Sequence, residues 1–370
     1  MSRQYLDSVL TKTLHISGYL IALLIAVEKL FSPSEDLVHV IRFVLLTGFI
    51  FSSFALPLVR PSSSWLKALG LIGMFLYIIG IIFPTMSILL GIAIIIGVIM
   101  VFINLLFNGT KEESNDHEHY QMPGPSKRSG MITTSIKYYT SMILSLFNPF
   151  QFVQMIKQII SQKNTSELID FQQKGKYTLP FTDEWFIANG GIDKKDSHSW
   201  EIVNQRYAYD FIIANSNGCS HANDGDTLKD YYCYGQNILS PGDGEVIEVR
   251  DHIRDYPKPG TMMVDFLAKD FRGNFVVIKH QENEYSFMAH FIPGTFEVNK
   301  GDFVKRGQVI GKCGNSGHST EPHLHFHFQD HPNFYQGKGL PIKFSNVIIN
   351  GEYKEEGYIK KGERVTPIQQ

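Results

Sequence analysis

The feature that most constrains this chain is a run of 39 residues, 68–106, that contains no Asp, Glu, Lys or Arg. A bilayer core about 30 Å thick is crossed by roughly 20 predominantly apolar helical residues, so this run is long enough for two crossings. Pro84 lies near its middle, where a turn between two helices is expected. The overall composition, 44% hydrophobic and 19% charged, therefore averages two chemically different parts of one chain.

Two further apolar segments precede this run. Together the apolar segments predict an N-terminal bundle of four transmembrane helices, near 10–30, 37–59, 65–83 and 86–107. A single core helix remains the alternative for the first segment, which is the least apolar. The lipid bilayer is then a predicted partner. Most basic residues beside these segments fall on the side of the C-terminal half, which by the positive-inside rule favours the cytoplasm for that half.

The remaining composition limits the class of partner and the organisation of the chain. A net charge of −2 without a basic stripe argues against a nucleic-acid partner. Shifts in polarity predict several parts: a membrane domain (1–107), a polar linker (108–130), an amphipathic helical connector (131–170), an all-β domain (171–350) and a C-terminal tail (351–370). The oligomeric state is left open.

The pattern from Leu179 onward is typical of β structure. Short apolar runs of period two, such as 245–249 and 275–279, alternate with glycine and proline turn signals every eight to twelve residues or so. Many short strands joined by tight turns predict a mainly antiparallel sandwich or barrel. The predicted fold class is thus multi-domain, with a transmembrane α-helical bundle followed by an all-β domain.

Histidine is concentrated in one predicted strand, His323-Leu-His-Phe-His-Phe328. Alternate side chains of a strand share a face, so three imidazoles lie on one face and three large apolar side chains on the other. Neighbours on one face are about 7 Å apart and the outer two about 14 Å, which is too far for all three to bind one metal ion. The spacing suits one metal ligand beside one acid-base group, and a polar face of three imidazoles requires a metal, a carboxylate or water.

A combination of motifs resembles the lysostaphin-type zinc endopeptidases. The segments 301–311 and Gly314-Asn-Ser-Gly-His-Ser-Thr-Glu-Pro-His-Leu-His-Phe326 resemble their C-terminal signature, 285–290 resembles the preceding strand, and 240–246 an early hairpin. The resemblance spans roughly 198–328. It implies a small antiparallel β scaffold, one Zn²⁺ per chain and cleavage of peptide bonds in bacterial peptidoglycan.

The resemblance also implies roles for individual residues. His325 corresponds to a zinc ligand, Asp210 to the carboxylate ligand, and His290 and His323 to the two catalytic imidazoles. The family usually has another ligand histidine four residues before the aspartate, where this chain has Arg206. An arginine stays protonated and cannot bind zinc. His198, twelve residues before Asp210, is the nearest substitute, and without it the site is expected to be inactive.

The first hypothesis is therefore a membrane-anchored zinc endopeptidase that hydrolyses peptide bonds of peptidoglycan through a metal-activated water. The alternative is a metal-free relative that binds or regulates other wall hydrolases, and a weaker third possibility is a cytoplasmic or intramembrane-coupled protease. Peptidoglycan lies outside the plasma membrane, so a multi-pass protein with an extracellular C-terminal domain is expected despite the charge bias. Pairing of Cys219 with Cys233 is left open.

Overall fold

The computed structural model describes residues 35–59, 64–82, 91–97, 99–100, 120–161 and 171–368, together with 10, 13–14, 17–18 and 20–21. The chain divides into two compact units, Met1–Glu113 and Ser114–Gln370. Most of the predicted segment 10–30, most of 86–107 and the first part of the predicted linker, 108–119, lie outside the described residues.

The first unit is helical in its described parts. Helix α1 spans Glu35–Val59 and contains Pro57, helix α2 spans Ser64–Ile82, and residues 91–97 are also helical. Apolar side chains from these helices pack on one another, with Ile50 and Phe54 of α1 buried against Tyr77 of α2. The Thr47 hydroxyl lies 2.8 Å from the hydroxyl of Tyr77, which adds a polar contact to the same packing.

The prediction of a transmembrane bundle, and with it of a multi-pass membrane protein, is wrong. Within the described ranges, no helix combines the length with the sustained apolarity that crossing a bilayer requires. The charge-free run is a property of consecutive residues, whereas a crossing depends on one uninterrupted helix. Helix α2 ends at Ile82 and begins with a turn that contains Lys67, and α1 carries Glu35 and Arg42.

The second unit begins with three helices that present polar side chains to the β-structure. They are α3 (Gly124–Ser129), α4 (Met131–Leu146) and α5 (Pro149–Ser161). The Ser141 hydroxyl accepts a hydrogen bond from the backbone N–H of Val264, and the Gln151 amide donates to the carbonyls of Asp265 and Ala268. These bonds satisfy buried polar groups and attach the helices to the loop 251–274, which joins two neighbouring strands of the main sheet.

The β-structure contains thirteen strands within the described residues. They are β1 (Trp185–Asn189), β2 (Tyr209–Ile212), β3 (Asn237–Leu239), β4 (Gly244–Arg250), β5 (Phe275–Gln281), β6 (Glu284–Ala289), β7 (Phe303–Val304), β8 (Val309–Lys312), β9 (Leu324–Gln329), β10 (Gly339–Leu340), β11 (Phe344–Ile349), β12 (Glu352–Gly357) and β13 (Arg364–Pro367).

The main sheet has the order β12-β11-β13-β1-β2-β9-β6-β5-β4-β7, with β10 paired to β9, and β3 and β8 form a second small sheet. Its strand pairs are antiparallel, which confirms the predicted mainly antiparallel C-terminal domain. Leu324, Phe326 and Phe328 of β9 are fully buried in the principal core, as the alternation of that strand predicts. The opposite face of β9 is left for the histidines.

The cysteines form no disulfide. Cys219, Cys233 and Cys313 are all free, and the thiol of Cys233 instead donates to the carbonyl of Pro322. The open question of pairing between Cys219 and Cys233 is thereby answered for this structure.

Candidate metal centre and active site

The site is assembled on three neighbouring strands, β2, β9 and β6. Asp210 of β2 lies directly opposite His325 of β9, and Ala289 at the end of β6 lies opposite His325 from the other side. His290 follows β6 by one residue, and His323 precedes β9 by one residue. Strand pairing therefore brings together residues that are more than 100 positions apart in the chain.

Asp210 is the centre of this cluster. Its Oδ1 lies 3.0 Å from Nδ1 of His325 and 3.5 Å from Nε2 of His323, and its Oδ2 lies 3.8 Å from Nδ1 of His198. Burial by itself raises the pKa of Asp210, but the hydrogen bond with His325 and the charges of His323, His325 and His198 outweigh burial and hold this pKa well below its usual value. Asp210 is therefore a carboxylate at any working pH.

His290 is buried and packs beside the other imidazoles, with its ring centroid 4.7 Å from that of His323 and 5.9 Å from that of His325. Burial lowers the pKa of His290 well below its usual value, and the charges of His323 and His325 lower it further. Its backbone has φ of 70°, a left-handed conformation that is strained for a residue with a side chain.

Hydrogen bonds to carbonyl groups orient both imidazoles that the sequence assigns to catalysis. Nδ1 of His290 lies 2.7 Å from the carbonyl oxygen of Ser316, and Nδ1 of His323 lies 2.8 Å from the carbonyl oxygen of Glu321. Because a carbonyl oxygen only accepts, Nδ1 carries the proton in each ring. In the neutral rings, Nε2 is then the atom that is free to accept a proton.

His198 enters the site from the loop between β1 and β2. Its backbone N–H donates to Oδ1 of Asn189, while Nδ2 of Asn189 donates to Oδ2 of Asp210. Asn189 thus positions two candidate ligands at once, a role that the sequence analysis missed. The available signal was a polar residue at the end of the apolar strand β1, directly before two glycines.

The Arg206 side chain contacts Trp200, which lies two residues after His198. Its Nε donates to the carbonyl of Trp200 at 3.1 Å, and its guanidinium lies 5.5 Å from the centre of the Trp200 indole. Both contacts hold the turn that follows His198. The substitution at position 206 and the location of His198 are therefore parts of the same local structure.

The donor chemistry of the cluster fits a zinc ion. Zinc prefers imidazole nitrogen and carboxylate oxygen, and a catalytic site keeps one position open beside three protein ligands. The imidazoles of His198 and His325 both lie near the Asp210 carboxylate, so these three residues offer two nitrogen ligands and one oxygen ligand. A second set overlaps with this one, since donor atoms of His290, His323 and His325 lie within 4.8 Å of one another. His325 belongs to both sets.

Part of the second unit is similar to a known protein family. Residues 229–338 match peptidase family M23, in agreement with the lysostaphin-type resemblance of the motifs. The matched segment includes His290, His323 and His325 and begins after His198 and Asp210.

Individual relatives agree with this assignment over short segments. The chain is 36% identical over 92 residues to the peptidoglycan DD-endopeptidase ShyB of Vibrio cholerae serotype O1, a match that covers 25% of this chain and 17% of ShyB. It is 39% identical over 75 residues to lysostaphin of Staphylococcus simulans, covering 20% of this chain and 13% of lysostaphin. The chain therefore spans less than a fifth of the length of these relatives.

A solved structure of a zinc-containing peptidase from Vibrio cholerae is also similar. It has 24% sequence identity and a TM-score of 0.27, and the alignment covers 45% of this chain and 39% of that one.

Proposed function

We propose that the second unit is a zinc endopeptidase domain that hydrolyses peptide bonds of bacterial peptidoglycan. The match of residues 229–338 to peptidase family M23 supports a hydrolase of the metallopeptidase class. The relatives named for acting on peptidoglycan support the substrate class. The observation that carries the proposal is the grouping of two imidazoles, His198 and His325, around the Asp210 carboxylate, with two further imidazoles beside them.

In this proposal His198, Asp210 and His325 hold one zinc ion. When bound, zinc supplies Lewis acidity, which polarises the scissile carbonyl and acidifies a water molecule. Asp210 supplies the negative charge that favours binding of a divalent cation, and Asn189 keeps that carboxylate and the backbone of His198 in place.

His290 and His323 are the proposed acid-base pair. With Nδ1 bonded to a carbonyl group, each ring directs its Nε2 away from that anchor, where one ring accepts a proton from water and the other donates one to the leaving amine. A neutral His290 suits the role of acceptor, because burial disfavours its charged form. The protonated ring stabilises the negative charge that develops on the carbonyl oxygen of the substrate.

The zinc content of the purified full-length chain tests the metal-binding part. We expect about one zinc per chain for the unmodified protein and a loss of that zinc for His198→Ala and for Asp210→Asn. The matched control is His252→Ala, which removes an exposed imidazole outside the cluster. A zinc-free parent protein would refute this part and favour the metal-free binding module, since that module requires no ligand at position 198.

Digestion of purified peptidoglycan tests the activity. Mass spectrometry of the soluble products identifies new amino termini if a peptide bond is cleaved and new reducing sugar ends if a glycosidic bond is cleaved. We expect new amino termini with the parent protein and none with His323→Ala at unchanged zinc content. Zinc binding without any cleavage of peptides from several wall types would contradict an endopeptidase.

A further inference from the structure

Helices α4 and α5 bury polar side chains and expose apolar ones, which is the reverse of the usual arrangement for a helix on the surface of a globular domain. Between residues 131 and 160, the buried side chains are all polar: Thr134, Ser141, Ser145 and Gln151. Ten large apolar side chains of the same segment are exposed. They form an outer face that includes Ile136, Ile143, Phe147, Phe150, Val153 and Ile160.

The helical period shows that this reversal is systematic in α4. The buried polar residues follow one another at intervals of seven and four residues: Thr134, Ser141 and Ser145. The exposed apolar residues follow the same intervals: Ile136, Ile143 and Phe147. The second row is offset from the first by two residues, which is about 200° around a helix. The polar and the apolar row therefore lie on opposite faces of α4.

The polar face is already occupied, because it is bonded to the loop 251–274. Nδ2 of Asn148, between the two helices, donates to the carbonyl oxygens of Phe266 and Ala268, at 3.1 and 2.9 Å. Leu267, the residue between these two carbonyl groups, is exposed and adds a further apolar side chain beside the helices. The outer face consequently points away from the β-structure.

The charge beside the outer face is positive. Residues 124–161 contain four basic and no acidic residues. Arg128 forms an ion pair with Asp226. The other three are without an ion-pair partner among the described residues, and they are Lys127, Lys137 and Lys157. Lys157 lies one helical turn after Val153 and one turn before Ile160, so it projects from the outer face of α5 itself.

The acidic residues of the adjoining loop do not offset this charge. Asp265 is buried and pairs with Arg254 at 2.9 Å, and Asp270 pairs with Arg272 at 2.7 Å. Lys269 of the same loop is exposed. A second copy of this positively charged face would be repelled, whereas a surface of opposite charge would be attracted. Exposed apolar side chains bordered by lysines are typical of helices that lie in the interface of a bilayer with anionic lipids.

We propose that the outer face of α4 and α5 docks on the surface of a lipid bilayer that contains anionic lipids. The helices lie along one interface and do not cross the bilayer. Apolar side chains such as Phe147 and Phe150 enter the boundary between headgroups and acyl chains, and the lysines extend toward the anionic headgroups. The inference is independent of the proposed function, since none of these residues belongs to the histidine cluster.

Partition of the full-length chain onto vesicles tests both parts of the surface. With vesicles of phosphatidylcholine and phosphatidylglycerol, the double variant Phe147→Ser/Phe150→Ser should bind at least about 10-fold more weakly than the parent, because it loses two apolar anchors. Lys127→Ala/Lys157→Ala should weaken binding by about 10- to 30-fold, since each lysine near an anionic surface contributes about fivefold. Equal binding by the parent and both double variants would overturn the proposal.

Phe303→Ser is the matched control. Phe303 is 65% exposed, comparable to the 56% of Phe150, but it lies on the edge strand β7. Its replacement should leave binding unchanged. An equal loss for Phe303→Ser and for the Phe147→Ser/Phe150→Ser variant would show that general surface hydrophobicity, rather than the outer face, drives binding.

A fluorescent label locates the contact, which is necessary because the first unit also exposes apolar side chains, such as Phe75. An environment-sensitive fluorophore is attached to Phe150→Cys or, for comparison, to Phe303→Cys, each combined with Cys219→Ser to remove the partly exposed cysteine. On anionic vesicles, the label at position 150 should shift its emission to the blue and be quenched by nitroxide-bearing lipids, while the label at position 303 does neither.

Two results with this label would refute the docking surface. In the first, the label at position 150 stays in water although the protein is bound to vesicles, so another part of the chain makes the contact. In the second, the label is shielded without lipid as the protein concentration rises and the protein sediments as a dimer, so a second copy covers the outer face. Neither result depends on zinc or on peptidoglycan cleavage.

Discussion

Asn189→Ala is the sharpest test of how the cluster is held. Asn189 lies at the end of β1, opposite Asp210, where the register between β1 and β2 shifts. Bulges of this kind redirect side chains beside functional sites. The side chain is 8% exposed and makes two bonds, a donor bond of 3.1 Å to Oδ2 of Asp210 and an acceptor bond of 2.9 Å from the backbone N–H of His198.

The expected loss of stability follows from these two bonds. A hydrogen bond to a charged group contributes about 1.5–3 kcal/mol and a neutral one about 0.5–1.5 kcal/mol. Asn189→Ala should therefore lower the free energy of unfolding by about 2–4 kcal/mol. Because Asp210 and His198 both lose a positioning partner, zinc affinity should also fall, by about 10- to 100-fold.

Urea denaturation and chelator competition on the full-length chain measure the two effects. Asn204→Ala is the matched control, since Asn204 is also buried and its amide donates to the carbonyl of Phe334 rather than to a candidate ligand. The control should lose stability and retain zinc affinity. If Asn189→Ala and Asn204→Ala bind zinc equally tightly, Asn189 does not position the ligands and this reasoning is wrong.

Three further predictions concern the parts around the site. Arg206→Ala removes the contacts with Trp200 and should cost about 1–2 kcal/mol by urea denaturation and weaken zinc binding; unchanged zinc affinity would show that the turn needs no such support. Burial lowers the pKa of His318 from 6.5 to about 4. Between these two pH values the unfolded chain takes up a proton at this residue and the folded chain does not. The free energy of unfolding should therefore fall by up to about 3 kcal/mol as pH drops from about 6.5 to about 4. His318→Gln, which keeps a polar partner for Gln151, should flatten that part of the stability profile, and an equal slope in both proteins would exclude this cause. Phe326→Ala opens a cavity in the fully buried core and should cost about 3–5 kcal/mol in the same denaturation assay, so a loss below about 1 kcal/mol would mean that the core closes around the missing ring.

The β-structure could be predicted because its signals are local. Alternation places Phe326 in the core and His325 on the other face of β9, and turn residues separate the strands. The membrane prediction failed because it depended on the length of individual helices, which the hydropathy of the sequence does not determine. A charge-free run predicts a membrane crossing only if one helix continues through it, and no helix among the described residues is both long and apolar enough to cross.

The site could be predicted only as a set of residue types. Family motifs indicated His290, His323 and His325, and the position of Arg206 left His198 as a substitute without evidence that its loop reaches Asp210. The loop conformation depends on the contact of Arg206 with Trp200, which has no sequence signature, and on the bond of His198 to Asn189, whose local signal is only a polar residue before two glycines. Their assigned roles as ligands and catalytic groups stay predictions.

By itself, the sequence determined which side chains share a face, because the geometry of a strand makes that a property of neighbouring residues. It therefore specified the row of imidazoles on β9 and the apolar face behind it. Only the tertiary structure decided that Asp210 lies opposite His325 and that Asn189 joins Asp210 to His198. The physical reason is that strand register and hydrogen-bond direction depend on partners that are distant in the chain, and those partners are set only when the whole sheet is formed.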